Sequence, residues 1–215
     1  MSGGSECPEN ARLATGSRSA ALRQGLRTRD SAYFENLYTA NPDPWNFTSS
    51  DYERRKYDAT IGMLGTRMFS AGLEAGCSIG VLTQRLAARC EHLLALDIVP
   101  AVLDEARARC AGLDHVAFGC RKLPADWPAQ NFDLMVFSEM LYFLSADDIR
   151  QTADLACRHS LRNGAILLVN YTVPIDEPCN GDAAAELFIA ACGTRATRLG
   201  HHTAETFRID LLRVD

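Results

Sequence analysis

The run Glu74-Ala75-Gly76-Cys77-Ser78-Ile79-Gly80 sets an acid and two glycines within seven positions. Glycine accepts a positive φ and lets backbone approach a ligand with no Cβ in the way. Asp97 follows Gly76 by 21 residues, close to the roughly 20-residue spacing at which an acid meets ribose hydroxyls beyond such a turn. A carboxylate there accepts both hydroxyls as charge-assisted hydrogen bonds. A pyrophosphate loop needs G-x-G-x-x-G at a helix N-terminus. Here Ser78 stands between glycines four apart, and no third glycine follows at that spacing. Glu74 also puts a negative charge just before the turn, which repels a pyrophosphate and suits an α-ammonium group. The chemistry favours S-adenosylmethionine over a dinucleotide.

These residues do this work only if strands and helices deliver them to one edge of a sheet. The apolar patterning predicts strands over 67–74, 92–97, 116–120, 132–138, 165–170, 196–200 and 206–214. It predicts helices over 80–90, 100–110, 145–161 and 183–192, the second opened by Pro100 and the third by the Ser145, Asp147, Asp148 cap. Asn163-Gly164 is expected to stop the third helix. Alternating strands and helices predict a mostly parallel sheet of seven strands with helices on both faces. In front of it, residues 31–64 read as an N-terminal helical cap. Asn41-Pro42-Asp43-Pro44 is a turn, and a helix capped by Ser49 or Ser50 runs to Leu64. On that helix Tyr52, Arg55, Lys56 and Ala59 are expected to share one face. Residues 1–30, rich in Ser, Gly, Ala and Arg, read as a flexible leader.

Bulk properties narrow the function class. The 215 residues carry a net charge of −5, which does not suit nucleic-acid binding, where phosphates need a basic face. No apolar run of membrane-spanning length occurs, so a cytoplasmic protein is expected. Eight cysteines are spread along the chain with no CxxC pair. They read as core residues, and no metal is expected.

The 74–80 run resembles motif I of class I S-adenosylmethionine-dependent methyltransferases, E/D-x-G-x-G-x-G. Asp97 resembles their ribose acid, Phe132-Asp133-Leu134-Met135-Val136 their fourth-strand motif, and Leu161-Arg162-Asn163-Gly164 the turn before the fifth strand. The resemblance implies the Rossmann-like fold of that class, with a final antiparallel strand over 206–214. Two positions depart from the pattern: Ser78 replaces the middle glycine, and Arg121-Lys122-Leu123 stands where an acid often faces adenine. Tyr33-Phe34-Glu35, Asp43-Pro44-Trp45-Asn46-Phe47, Tyr52-Glu53-Arg54-Arg55-Lys56-Tyr57 and Ser138-Glu139-Met140-Leu141-Tyr142-Phe143-Leu144 are similar to the rhizobial nodulation N-methyltransferase family NodS.

That resemblance implies a cytosolic monomer that methylates the free amine of the deacetylated non-reducing-end glucosamine of a chitooligosaccharide during Nod-factor synthesis. The cofactor residues expected are Glu74, Gly76, Cys77, Ser78, Gly80, Asp97, Ile98, Lys122, Leu123 and Ser138, with Trp45, Tyr52 and Arg55 from the cap. Arg55 is expected to pair with the cofactor carboxylate. Glu139 is the candidate to orient the amine or take its proton, with Tyr142 beside it. A different small-molecule acceptor, or a catalytically silent adenosylmethionine-binding module, stays open at this point.

Overall fold

The computed structural model describes residues 27–215, so all but the last four residues of the expected leader lie outside the described part. Seven strands form one sheet: β1 (Phe69–Ala75), β2 (Cys90–Asp97), β3 (Val116–Cys120), β4 (Phe132–Ser138), β5 (Ser160–Tyr171), β6 (Ala196–Thr203) and β7 (Phe207–Val214). Their order across the sheet is β3-β2-β1-β4-β5-β7-β6. The first five run parallel, and β7 enters antiparallel between β5 and β6. The chain leaves β1 toward β2 on one side and returns to β4 on the other. A crevice therefore opens beyond the carboxyl ends of β1 and β4, where ligands bind in open α/β sheets.

Parallel neighbours need crossovers. Helices α3 (Val81–Ala87), α4 (Pro100–Arg109) and α5 (Ala146–Arg158) supply three of them, and α6 (Gly181–Cys192) links β5 to β6. The central strands are covered on both faces, so β4 is buried at every position but Asp133. On one face Phe137, Ile166 and Leu168 pack with Ala153 of α5 and Phe188 of α6. On the other, Leu134, Val136, Leu167 and Val169 pack with Leu82 and Leu86 of α3 and with Tyr57. Among the described residues no helix is long and apolar enough to cross a membrane.

The 31–64 segment holds two helices, α1 (Ser31–Ala40) and α2 (Asp51–Met63). Ser50 caps α2 and Ser145 caps α5, each hydroxyl accepting a backbone N–H three residues on. The face of α2 that turns inward differs from the expected one. Glu53, Lys56, Tyr57 and Thr60 are buried, whereas Arg55 is exposed. A rotation of about one residue follows because the Glu53–Lys56 ion pair seats against the sheet. The boundary at 158–165 also differs. Asn163-Gly164 does not stop a helix: α5 ends at Arg158, and Ser160 already pairs with Phe132 of β4. Asn163 takes φ 60 inside the irregular start of β5, where the β4–β5 register shifts.

Candidate functional site

The turn from β1 into α3 is left-handed at three alternate positions: Gly76 at φ 80, Ser78 at φ 49 and Gly80 at φ 81. A Cβ on Gly76 would stand 3.2 Å from Met140 Cβ and 3.3 Å from the Ser138 carbonyl, and one on Gly80 would stand 3.0 Å from Ala106 of α4. The first glycine thus brings the loop against the end of β4, and the second lets α3 pack on α4. The Gly76 and Cys77 N–H groups both donate to the Leu96 carbonyl at 2.9 Å. Asp97 completes the attachment. Its Oδ2 accepts the Ser78 N–H at 2.8 Å and its Oδ1 the Val99 N–H at 3.0 Å. Burial raises the Asp97 carboxyl, and those backbone donors pull it back.

Glu74 closes the floor of the crevice. It is 1% exposed and its Oε2 has no partner. Burial pushes its carboxyl up to about 7. The crevice is lined by Glu74, the 76–79 loop, Ser138, Glu139, Phe47 and Tyr57.

Glu139, just past β4, takes φ 56. Its Oε2 accepts the Tyr142 hydroxyl at 2.6 Å and the Tyr171 N–H at 3.0 Å. Its Oε1 pairs with the Lys56 ammonium at 2.8 Å. Lys56 also pairs with Glu53 at 2.9 Å. Tyr142 is buried, and burial followed by the Glu139 charge raises its phenol well above the usual tyrosine range, so it serves as a donor.

The other expected residues divide into two groups. Cys77 and Ser138 line the crevice with Glu74, Gly76 and Ser78. Ile98 packs beside Ile79, Val99 and Val102 next to the loop. Leu123 is buried in the core on the α5–α6 face. Lys122 is exposed and turns its backbone N–H to Asp126 Oδ2 at 3.0 Å. Trp45 does not line the crevice. It packs edge-on to Tyr38 at 5.6 Å and beside Phe47 at 5.5 Å, and Phe47 carries the aromatic contact inward. Tyr52 lies under the Lys56 ammonium, 5.1 Å from ring centre to nitrogen. Arg55 stays on the exposed side of α2. Phe47 and Tyr57 line the crevice and Lys56 pairs with Glu139 behind it, and none of the three was among the expected site residues. The signal lay in the polar α2 sequence, where Glu53 and Lys56 sit one turn apart.

The N-terminal segment is tied across this end of the sheet. The Arg29 guanidinium and the Tyr33 hydroxyl reach the two oxygens of Glu177, each at 2.7 Å. The Thr28 hydroxyl donates to Asp148 and accepts the Ser145 N–H. From α1, Tyr38 shares a hydrogen bond with the Ser78 hydroxyl, and Phe34 and Tyr38 pack on Ile79 and Val99. Among the described residues no three His, Cys, Asp or Glu side chains are grouped to hold a metal ion.

Residues 34–170 match the family model for Nodulation protein S (NodS). Nodulation protein S of Rhizobium tropici is 31% identical over 121 residues, which make up 56% of this chain and 51% of that protein. Nodulation protein S of Bradyrhizobium diazoefficiens is 31% identical over 103 residues, 47% of this chain and 49% of that one. The chain thus spans about half the length of the curated relatives it matches. The solved structure of N-methyltransferase NodS from Bradyrhizobium japonicum WM9, in complex with S-adenosyl-L-homocysteine, superposes with a TM-score of 0.73. The alignment covers 86% of this chain and 97% of that one at 22% identity, a likeness of fold.

Proposed function

The chain belongs to the Nodulation protein S (NodS) family, and on that premise we propose that it is an S-adenosylmethionine-dependent N-methyltransferase. Its acceptor in this reading is the free amine of the deacetylated non-reducing-end glucosamine of a chitooligosaccharide, methylated in Nod-factor synthesis by a cytoplasmic monomer. The observation that carries the reading is the meeting of two parts in one crevice: the left-handed loop tied to Asp97, and the carboxylate of Glu139.

The residues present fit adenosylmethionine. Glu74 leaves one buried oxygen unpartnered at the crevice floor, suited to an α-ammonium group. Asp97 uses one lone pair of each oxygen on the loop, and a carboxylate has about four acceptor sites, so two remain for ribose hydroxyls. Gly76 keeps the loop backbone bare where a Cβ would crowd Met140. When bound, adenosylmethionine supplies a sulfonium methyl whose C–S electron pair departs on sulfur as the acceptor nitrogen takes the carbon.

The chain's own task is to align and to keep water out, and such alignment is worth roughly 7–11 kcal/mol. Glu139 carries three donors, which leaves about one of its four acceptor sites free. That lone pair receives an N–H of the acceptor, and takes its proton before the nitrogen attacks. Phe47 and Tyr57 give the crevice apolar walls, and the 31–64 cap holds them over it. The test is transfer of a tritiated methyl group to a deacetylated chitooligosaccharide, with the N-acetylated oligomer as control. Label on the deacetylated oligomer alone is expected; saturable adenosylmethionine binding with no transfer to any amine would overturn the reading.

A further inference from the structure

Of the 22 cationic side chains in this sequence only two are lysines, Lys56 and Lys122. Lys122 is exposed, but Lys56 is 1% exposed and sits behind the crevice wall. Its ammonium bridges Glu53 at 2.9 Å and Glu139 at 2.8 Å, over the ring of Tyr52. An arginine here would bring five donors in a rigid fork, whereas an ammonium is a compact charge on a flexible stem. Burial works against that charge, and the Glu139 and Glu53 carboxylates outweigh it, so Lys56 stays protonated.

A plain counter-ion for Glu53 does not need Glu139. The contact goes further because Glu139 is held in a left-handed backbone with donors on both oxygens, a conformation that persists only where its surroundings enforce it. We propose that Lys56 is a positioning residue for amine methylation, fixing Oε1 of Glu139 toward the acceptor nitrogen. The inference rests on the N-methyltransferase reading. The proton passes from the acceptor ammonium to Glu139, the N–H electron pair stays on nitrogen, and Lys56 releases no proton. The titratable groups facing Glu139 are Tyr52, Glu53, Lys56 and Tyr57 of α2, Glu74 of β1 and Tyr142.

Lys56→Met alone would leave two carboxylates facing each other, so the decisive variant is Glu53→Gln/Lys56→Met, which removes the pair together. With deacetylated chitooligosaccharide as acceptor, this double variant is expected to bind adenosylmethionine within about threefold of the wild type. It should lose about thirtyfold or more in kcat while the acceptor KM stays within about threefold, a loss approaching the roughly 10²–10⁴-fold that positioned proton-transfer groups contribute. Wild-type kcat, or a loss confined to the acceptor KM, would overturn the proposal and make Lys56 a counter-ion of Glu53. A second measurement covers the case in which the variant fails to fold. Selective ¹³C-lysine labelling of the wild type yields two side-chain signals, and the Lys56 signal should shift when acceptor joins an adenosylhomocysteine complex. An unmoved signal at acceptor saturation would equally sink the proposal. If the wild type transfers no methyl group at all, the enzymatic reading fails on its own account, apart from the Lys56 arms.

Discussion

Replacing Glu74 by glutamine keeps the shape of a side chain that is 1% exposed and removes only its ability to ionise. Burial pushes the wild-type carboxyl up to about 7 from the usual 4.5; the Thr83 hydroxyl pulls it back and the Asp97 charge adds to the rise. The unfolded chain therefore releases this proton near pH 4.5, whereas the folded chain keeps it until about 7. Across that window the folded state binds more protons, so stability falls as pH rises. The difference between 7 and 4.5, at about 1.36 kcal/mol per pH unit, corresponds to about 3 kcal/mol lost by the time the folded group has ionised. Glutamine does not titrate. Urea unfolding of the ligand-free proteins at pH 5 and pH 8 should show Glu74→Gln gaining about 2.5 kcal/mol on the wild type between the two, since part of the loss falls below pH 5. At ~2–4 °C per kcal/mol for a chain of this size, that is a relative rise of about 5–10 °C in Tm. Titrating residues common to both proteins cancel in the comparison. Parallel pH dependence in the two proteins would refute the argument, because it would mean that Glu74 meets solvent or a cation in the folded state. The same variant should bind adenosylmethionine more weakly at pH 8, since the cationic end of the ligand loses its counter-charge.

Three further outcomes follow from the site. Asp97→Asn retains one acceptor oxygen but turns an NH2 group toward a backbone donor. It should cost about 1–3 kcal/mol in stability and lower adenosylmethionine affinity at least tenfold by titration calorimetry; unchanged affinity would count against Asp97 as the ribose acid. Ser78 lies at φ 49, where a non-glycine residue costs roughly 1–2 kcal/mol. Ser78→Gly should stay within about 1 kcal/mol of the wild type, as relief of strain offsets the lost Tyr38 contact, whereas Ser78→Val should lower Tm by several degrees; equal melting of the two variants would contradict the left-handed turn. Arg55→Ala should leave cofactor affinity within about twofold, because an exposed charge on the outer side of α2 contributes little; a tenfold loss would bring Arg55 back to the ligand.

Much of the frame was legible in the residues themselves. The apolar run of β4, the caps at Ser50 and Ser145 and the proline that opens α4 are local signals, each carried by a few neighbouring side chains. The 74–80 turn and the acid 21 residues beyond it are similarly local, because one strand and one helix set the distance between them. The boundary at 158–165 was not legible. A turn dipeptide at Asn163-Gly164 competes there with pairing to Phe132, and the partner strand lies some thirty residues earlier in the chain.

The wall of the crevice opposite the loop belongs wholly to the tertiary structure. Tyr52, Arg55, Lys56 and Ala59 are one face of a helix by periodicity, and Glu53, Lys56, Tyr57 and Thr60 are another; sequence alone weighs them almost equally. Docking against α3 and β7 selects the second face, and Lys56, buried between Glu53 and Glu139, finds partners there for an ammonium that would otherwise be stranded away from water. Sequence by itself determined which strands make the sheet and which turn and acid stand at its edge, since those depend on short-range pattern. The structure alone decided that Lys56 and Phe47, not Arg55 and Trp45, meet them there, since that depends on which buried charges and rings find partners from distant elements.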